Sequence, residues 1–439
     1  MCSLNASPSI ELVLVEEGSF YMGNENTYLD EKPRHPVHLD GYFIEKKEVS
    51  IRDWFYVHDW AIENGYDFSE NQSFPLMVYT LDQEKEYPDF PMNNVSWLDC
   101  LKWCNARSEL MGRKPVYYTD SSLEDVFREG EFHHFTKSQI DFTASGFRLP
   151  TEAEWEKAAY GIVRSFPQSY PWGKVLNGSF ANYKKSGDPF DDGITPVGYY
   201  NSKQIISSRT MSYGGENQFH SDMANALGLY DIIGNVSEWC WDWYSAEGYN
   251  RSKYSVSIDP HGPDFSEDES NIKQSDKSKW EKKVHRGGSY KSDPSDQNDF
   301  LKDDLKISSR GVEFHNVNRK TIGLRTVRRQ LDDELWFDRK ETRFHRWFIS
   351  PWYGSFYQSD SIWVFHENHG WIYPVGKGAY DNWIFFNSKR KWLWTSKHAY
   401  PWHFNVTENV WIKDLSADGE RGWFESLSDG TKTKWGYGF

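Results

Sequence analysis

The fold is decided by two stretches of the sequence, FRLPTEAEWE at residues 147–156 and GLYDIIGNVSEW at residues 228–239. In the first stretch, Pro150 should end a strand, Thr151 can cap a helix, and Glu154 at the third helical position completes a capping box. This structural role explains the acidic side chains of the stretch better than a catalytic pair of carboxylates would.

Two more motifs follow along the chain, RGGSY at residues 286–290 and GLR at residues 323–325. Together, the four motifs resemble the sulfatase-modifying factor family, whose fold is that of the formylglycine-generating enzyme. The resemblance covers residues 10–329. It implies an α+β domain of the C-type-lectin-like class with little regular secondary structure.

The sequence departs from this family where the enzyme carries its chemistry. In the formylglycine-generating enzyme, two cysteines follow the Gly-Gly-Ser motif, and their soft thiolates suit Cu(I). Here Ser289 matches the family's serine, while Ser292 and Gln297 stand at the groove positions of the cysteines. We therefore expect neither copper nor formylglycine-generating activity, and we assign no catalytic residue.

The four cysteines of the chain are too few and too scattered to form a disulfide framework. Cys100 and Cys104 lie four residues apart on one face of a helix predicted over residues 95–110. They are either a metal or redox pair or two small apolar residues of the core, and we favour the core. Cys240 lies between tryptophans and should also be buried.

The family resemblance implies calcium at two loops. The side chains of Asn, Asp and Glu and the main-chain oxygens of the other residues would be the ligands, in keeping with the roughly six to eight oxygens that Ca²⁺ takes. The ligand positions map onto Asn182, Tyr183, Asp192 and Ile194 at the first site, and onto Asp231, Gly234, Val236 and Glu238 at the second. Alternatively, Asp231 and Glu238 only accept hydrogen bonds from loop N–H groups.

Composition narrows the range of functions. A formal net charge of −15 argues against nucleic acid, since binding to phosphates relies on clustered Lys and Arg. No apolar run approaches the roughly 20 residues of a membrane span, so we expect no transmembrane helix. The first residues lack the charged and apolar segments of a signal peptide, which indicates a cytoplasmic protein, or an exported one whose signal has been removed.

The stretch from residue 336 to residue 439 has a different character, because it holds 12 of the 22 tryptophans. Aromatic pairs two residues apart recur in it, such as Trp363/Phe365 and Trp383/Phe385, and this spacing places both rings on one face of a strand. The pattern predicts a small all-β array of aromatic hairpin repeats, similar in style to choline- and glucan-binding modules. The rings either pack on each other or stack against a ligand.

Two functions are consistent with these observations. We expect a calcium-stabilised binding or scaffold module of the sulfatase-modifying factor family that takes a peptide or glycan ligand. The alternative is a divergent metal-dependent oxidase of the same or the related non-haem iron branch, acting on a thiol or peptide, with histidines such as His133, His134, His220, His285 and His315 as metal ligands. The sequence leaves the oligomeric state open.

Overall fold

The structure is a computed structural model, and the chain divides after Arg329 into two compact units. It describes residues 11–69, 78–79, 85–86, 89–131, 135–161, 168–190, 193–206, 221–249, 255–263, 282–294, 304–330, 340–341, 347–359, 363–377 and 381–435. No helix in these ranges is long and apolar enough to span a membrane.

The first unit is made mostly of short strands. Its α-helices in the described ranges are α1 (Ile51–Glu63), α2 (Trp97–Leu110) and α3 (Glu152–Tyr160). Its strands are β1 (Leu12–Val15), β2 (Gly18–Met22), β3 (His35–Leu39), β4 (Tyr42–Glu45), β5 (Val78–Tyr79), β6 (Lys85–Glu86), β7 (Phe147–Arg148), β8 (Ser237–Trp243), β9 (Ser257–Ile258), β10 (Lys282–Arg286), β11 (Gly311–Phe314), β12 (Ile322–Gly323) and β13 (Val327–Arg329).

These strands form small sheets joined by long loops. Two four-stranded sheets have the orders β1-β4-β13-β7 and β11-β10-β8-β12, a three-stranded sheet has the order β2-β3-β9, and β5 pairs with β6. The expected combination of few helices, short strands and extensive loops is therefore present, while the assignment to the C-type-lectin-like class stays a prediction.

All three helices begin with a capping Ser or Thr, and the cap predicted at Thr151 is among them. The side-chain oxygens of Ser50, Ser96 and Thr151 accept hydrogen bonds from the backbone N–H three residues later, at 3.1, 3.0 and 3.2 Å. In α3 the Glu154 carboxylate returns a bond to the Thr151 N–H at 2.8 Å, which completes the capping box. Local sequence therefore determines where these helices start.

The alternating stretch from residue 37 to residue 44 suggests a single strand, but the structure breaks it at Asp40 and Gly41 into β3 and β4. The Asp40 N–H donates to the Asp259 carboxylate at 2.8 Å, so a residue 219 positions away holds the break. The break lets β3 pair with β2 while β4 pairs with β1.

The main core of the first unit packs α1 and α2 against β8. Buried indoles satisfy their N–H groups there: Trp97 donates to the Cys240 carbonyl at 2.8 Å and Trp239 to the Val95 carbonyl at 3.1 Å. Cys100 and Cys104 lie fully buried in the same cluster, as the core interpretation predicts.

The second unit is an antiparallel meander. Its strands pair in chain order: β14 (Lys340–Glu341), β15 (Trp347–Ser350), β16 (Gly354–Gln358), β17 (Val364–His366), β18 (Gly370–Lys377), β19 (Asp381–Phe386), β20 (Lys391–Thr395), β21 (Trp402–Asn405), β22 (Val410–Asp414), β23 (Trp423–Ser426) and β24 (Lys432–Lys434). This agrees with the predicted all-β hairpin array.

One face of this sheet carries most of the aromatic side chains. Along β19 and β20, half-exposed or exposed rings alternate with the buried Ile384, Phe386 and Leu393. Strand register sets the outward rings side by side in three rows that cross the strands. We call these rows the aromatic belt: Trp347, Tyr357, Phe365 and Trp371; Trp363, Tyr373, Phe385 and Trp392; and Trp383, Trp394, Phe404 and Trp411.

The other face closes around a buried polar cluster. The rings of His366 and His369 stack with their centroids 4.4 Å apart, and His369 Nε2 lies 3.1 Å from the Asp414 carboxylate. His403 contacts the same group, with its ring 6.4 Å from His369 and 5.2 Å from the buried Phe424. These side chains come from β17, from β21, from β22 and from turns, so the sheet curls around them.

This cluster predicts that the second unit loses stability in mild acid. Burial lowers the pKa of His403 to about 4, whereas in an unfolded chain it would be about 6.5. As the pH falls from 6.5 to 4, the unfolded chain takes up a proton that the folded unit does not, so stability should fall by about 3 kcal/mol from this residue. The groups that face the ring are Asp414, His369, Tyr353 and Tyr400.

The stability of β21 and β22 is measured as their urea midpoint at pH 7 and at pH 5. Hydrogen-exchange protection, corrected for the intrinsic exchange rate at each pH, reports the unfolding of these two strands. His403→Phe should weaken the pH dependence, and His398→Gln at an exposed position should leave it unchanged. An equal pH dependence in the wild type and in His403→Phe would contradict the interpretation.

Candidate calcium loops and groove motif

The second predicted calcium loop lies beside a buried ion pair. The Glu238 carboxylate accepts hydrogen bonds from Arg325 Nη2 at 2.8 Å and Nε at 2.9 Å, and from the Trp155 indole at 2.7 Å. Arg325 also donates to the main-chain oxygens of Glu45 and Tyr230 at 2.9 and 2.7 Å. Glu238 thus joins the helix α3 motif, the GNVSEW motif and the GLR motif.

This region holds more buried carboxylates than cations. Glu48 accepts from the Asn235 amide at 2.7 Å and from the Val236 N–H at 3.1 Å. Burial, and then the charges of Asp231 and Glu238, raise the pKa of Glu48 well above its usual value. Burial also raises the pKa of Asp231 to about 6, although its carboxylate accepts a bond from the Gly198 N–H.

The fit to Ca²⁺ can be judged from these donors. The excess of buried carboxylate and the hard oxygens of Asp231 and of the main chain at Gly234 and Val236 are the ligand type that calcium prefers. Glu238 would have to share its carboxylate between the metal and Arg325. The second site therefore fits calcium best through Asp231 and the main-chain oxygens, and calcium at this loop stays a prediction.

The first predicted calcium loop packs directly against the second. The Asn182 amide donates to the Gly193 carbonyl at 2.9 Å, next to Ile194, and the Asn182 carbonyl accepts from the Asn235 N–H at 2.8 Å. The Tyr183 carbonyl lies in a turn that it closes with the Ser186 N–H at 2.9 Å. Asp192 lies outside the described residues.

The approach of the two loops leaves no room for a side chain at Gly234. A Cβ there would lie 2.1 Å from the Asn182 carbonyl oxygen, and the glycine has φ +83°. Both restrictions favour glycine at this position. The structure thus places Gly234 of the second predicted site against Asn182 of the first, and the ligand roles of both loops stay predictions.

The groove motif has its hydroxyls engaged in its own turn. Ser292 Oγ accepts from the Ser289 N–H at 2.9 Å, and the Ser292 N–H donates to the Ser289 carbonyl at 2.9 Å. Both side chains are buried, and the Ser292 carbonyl accepts from the Lys184 N–H at 3.0 Å. Gln297 lies outside the described residues. Ser292 therefore has a structural role in this turn, and its match to a cysteine of the family's enzyme stays a prediction.

The three cysteines in the described part of the first unit favour the thiol form. Burial raises the pKa values of Cys100, Cys104 and Cys240 well above the usual value, so the reactive thiolate form is disfavoured. A soft-metal site built from them would require ionisation in an apolar interior.

The histidines considered as metal ligands are mostly separated from one another. His285 packs edge-on against Trp239 with ring centroids 5.9 Å apart, and His315 packs against Trp243 at 6.1 Å. His133, His134 and His220 fall outside the described ranges. In the part of the chain that the structure describes, no three His, Cys, Asp or Glu side chains are placed to hold a metal ion.

Sequence reasoning missed Glu48 and Lys283. Glu48 belongs to none of the sequence motifs, so nothing in the sequence indicates that it lies beside the second predicted calcium loop. The Lys283 ammonium is fully buried among indoles, 3.5 Å from the ring centroid of Trp243 and 3.9 Å from that of Trp97. Burial lowers its pKa well below the usual value. The only sequence signal for this arrangement was the high density of tryptophan in residues 239–243.

Comparison with known proteins gives a family. The family described as "Sulfatase-modifying factor enzyme 1-like domain" matches residues 3–330. The chaperone protein LppX of Paenibacillus barcinonensis is 31% identical over 243 residues, which are 55% of this chain and 74% of LppX. The formylglycine-generating enzyme of Mus musculus is 25% identical over 292 residues, 64% of this chain and 66% of the enzyme.

Other similar proteins are longer or share the fold more loosely. The serine/threonine-protein kinase pkn1 of Chlamydia caviae is 28% identical over 324 residues, which are 72% of this chain but only 38% of the kinase. Among solved structures, Treponema denticola variable protein 1 has a TM-score of 0.48 at 22% identity and covers 74% of this chain and 98% of its own.

The ion pair at Glu238 yields a test of what this residue does. Glu238→Gln should lower the free energy of unfolding of the first unit by about 3–5 kcal/mol, because it leaves the buried Arg325 unpaired. Urea unfolding followed by near-UV circular dichroism, with calcium and with chelator, would measure the loss. The loss should be the same in both solutions.

Glu313→Gln is the control, since its ion-pair partner Arg319 is about half exposed, and we expect a loss below about 1 kcal/mol. A loss at Glu238 that disappears when calcium is chelated would show that the carboxylate acts through calcium instead of Arg325.

Proposed function

We propose that this chain, which belongs to the sulfatase-modifying factor family, is a calcium-stabilised binding or scaffold module and does not generate formylglycine. The family membership is carried by residues 3–330, and the function is argued from the loops, the groove motif and the second unit. The ligand would be a peptide or a glycan.

The groove motif carries the proposal. Catalysis by the family's enzyme requires two soft thiolates after the Gly-Gly-Ser sequence. Ser292 offers a hard hydroxyl that is already bound to the Ser289 N–H, and Gln297 offers an amide. Because Cu(I) prefers sulfur ligands, these residues supply little affinity for copper. The chain thus keeps the Gly-Gly-Ser motif but lacks the two thiolates. This combination suits a protein that binds its ligand without changing it chemically.

Calcium would serve the proposal by fixing the long loops. In the first loop Asn182 and Asp192, with the Tyr183 and Ile194 carbonyls, would hold the ion. In the second, Asp231 is the main side-chain ligand. When bound, Ca²⁺ supplies positive charge to a region where carboxylates exceed cations, and it ties loop segments that lack regular hydrogen bonding.

Two further observations support binding as the function. The relative LppX bears the name of a chaperone, a kind of protein that works by binding others. The second unit displays the aromatic belt, and exposed indoles are the side chains that proteins use most to contact sugars and other ligands with an apolar face.

The proposal predicts the metal content of the protein. Elemental analysis by mass spectrometry, on protein purified without added metal or chelator, should find one to two equivalents of calcium and no stoichiometric copper or iron. Asp231→Asn should reduce the calcium content, while Asp222→Asn at an exposed position near the same loop should not. Near-stoichiometric copper or iron would overturn the proposal in favour of a divergent oxidase.

A further inference from the structure

The aromatic belt presents ring faces to solvent. Trp371 and Trp392 are 44% and 37% exposed although they lie in the middle of the sheet. Neighbouring rings meet tilted or edge-to-face: the centroids of Phe365 and Trp371 are 5.5 Å apart at an interplanar angle of 73°. Each ring thus covers part of its neighbour, while Trp371 and Trp392 keep the largest exposed surfaces of the belt.

The belt is not needed to fill the core of the second unit. The buried face supplies a separate apolar cluster that includes Phe356, Ile372, Ile384, Leu393 and Phe424, each at most 1% exposed. A sheet face whose only task was to meet water would carry polar side chains. The outward face instead places aromatic side chains in line over adjacent strands, which indicates a surface for contact.

Charge identifies the chemistry of the partner. Residues 340–439 hold twelve Lys and Arg against ten Asp and Glu, so this part of the chain is nearly neutral although the whole chain is strongly acidic. Some charged side chains near the belt form local pairs, Lys391 with Glu408 and Lys413 with Asp418. A polyanion or an anionic membrane would favour a clear excess of cations, which this nearly neutral stretch does not have. An uncharged partner fits.

The spacing of the rings indicates the shape of the partner. Adjacent strands lie about 4.8 Å apart, and the ring centroids of neighbours within a row are 5.3–5.9 Å apart, as at Phe404/Trp411 and Trp347/Tyr357. This interval is close to the length of one pyranose ring. A sugar polymer laid across the strands would therefore meet a new aromatic ring with nearly every residue.

We infer that the aromatic belt binds a linear, uncharged polysaccharide whose chain runs across the strands, with pyranose faces stacked on the rings. The inference rests on the proposed function, because it names the ligand of the second unit of that binding module. The indole N–H groups and the polar side chains between the rings would bond sugar hydroxyls, and the C–H faces of the sugars would cover the exposed rings.

The test uses the full chain and a set of defined polymers. The neutral probes are cellulose, chitin and a β-1,3-glucan, and polygalacturonate is the charged comparison. Binding is measured by depletion from solution for insoluble polymers and by affinity electrophoresis for soluble ones. We expect the wild type to bind at least one neutral polymer and to ignore polygalacturonate.

Trp371→Ala/Trp392→Ala should weaken that binding at least tenfold. Trp423→Ala is the matched control, since this residue is 36% exposed on the same face but lies outside the three rows; we expect less than a twofold change. Hydrogen-exchange protection of the inner strands should be equal in all three proteins, which separates loss of binding from loss of fold.

Several results would overturn the inference. The inference fails if the wild type binds no neutral polymer, or if it binds polygalacturonate more strongly than the neutral polymers. It also fails if the double variant binds as well as the wild type. A self-association of the wild type that the double variant alone abolishes would show that the belt binds a second copy of the chain instead. These failures are distinct from failure of the proposed function, because calcium content without copper or iron would still support a binding module with another ligand.

Discussion

The first unit depends on buried guanidinium groups that take the place of regular secondary structure. Arg325 is fully buried, pairs with Glu238, and donates to main-chain oxygens at residues 45 and 230. An arginine has five N–H donors in a fixed plane, so one side chain can satisfy several loop carbonyls at once. Breaking such a pair leaves a buried charge, which is why the loops around it are held in one arrangement.

A second pair does the same work for the other motifs. Arg286 of the RGGSY stretch pairs with Glu156 of α3 and donates to the Ser308 and Ser309 carbonyls at 2.8 and 2.6 Å. Glu156 in turn accepts from the Gly23 N–H at 2.7 Å. The motifs by which the family is recognised are thus the residues that join its loops. Ser292 takes no part in either pair, so the identity of the residue at this position does not affect the contacts that join the loops.

This division explains what the sequence could and could not predict. The caps at Ser50, Ser96 and Thr151 were predictable, because a cap and its partner lie three residues apart. The partners of Glu238 and Arg325 were not, because 87 positions separate them and only the folded chain brings them together. The same holds for the break at Asp40, which depends on Asp259, and for Glu48, which lies beside the second predicted calcium loop without belonging to any motif.

The second unit divides its two faces between stability and exposure. The sequence showed that aromatic side chains two residues apart share one face of a strand. It did not show which face of the sheet would be buried. The structure shows that the buried face is the one that carries the histidines, which are not part of the aromatic pattern. His366, His369 and His403 cluster near Asp414, and the sheet curls around them. Because the histidines, the aliphatic residues and some aromatic residues take the inner face, the tryptophans of the aromatic belt are left outside, where neighbouring rings meet tilted or edge-to-face. Rings that pack on each other in this way still keep part of their surface exposed, so packing between the rings does not exclude contact with a ligand.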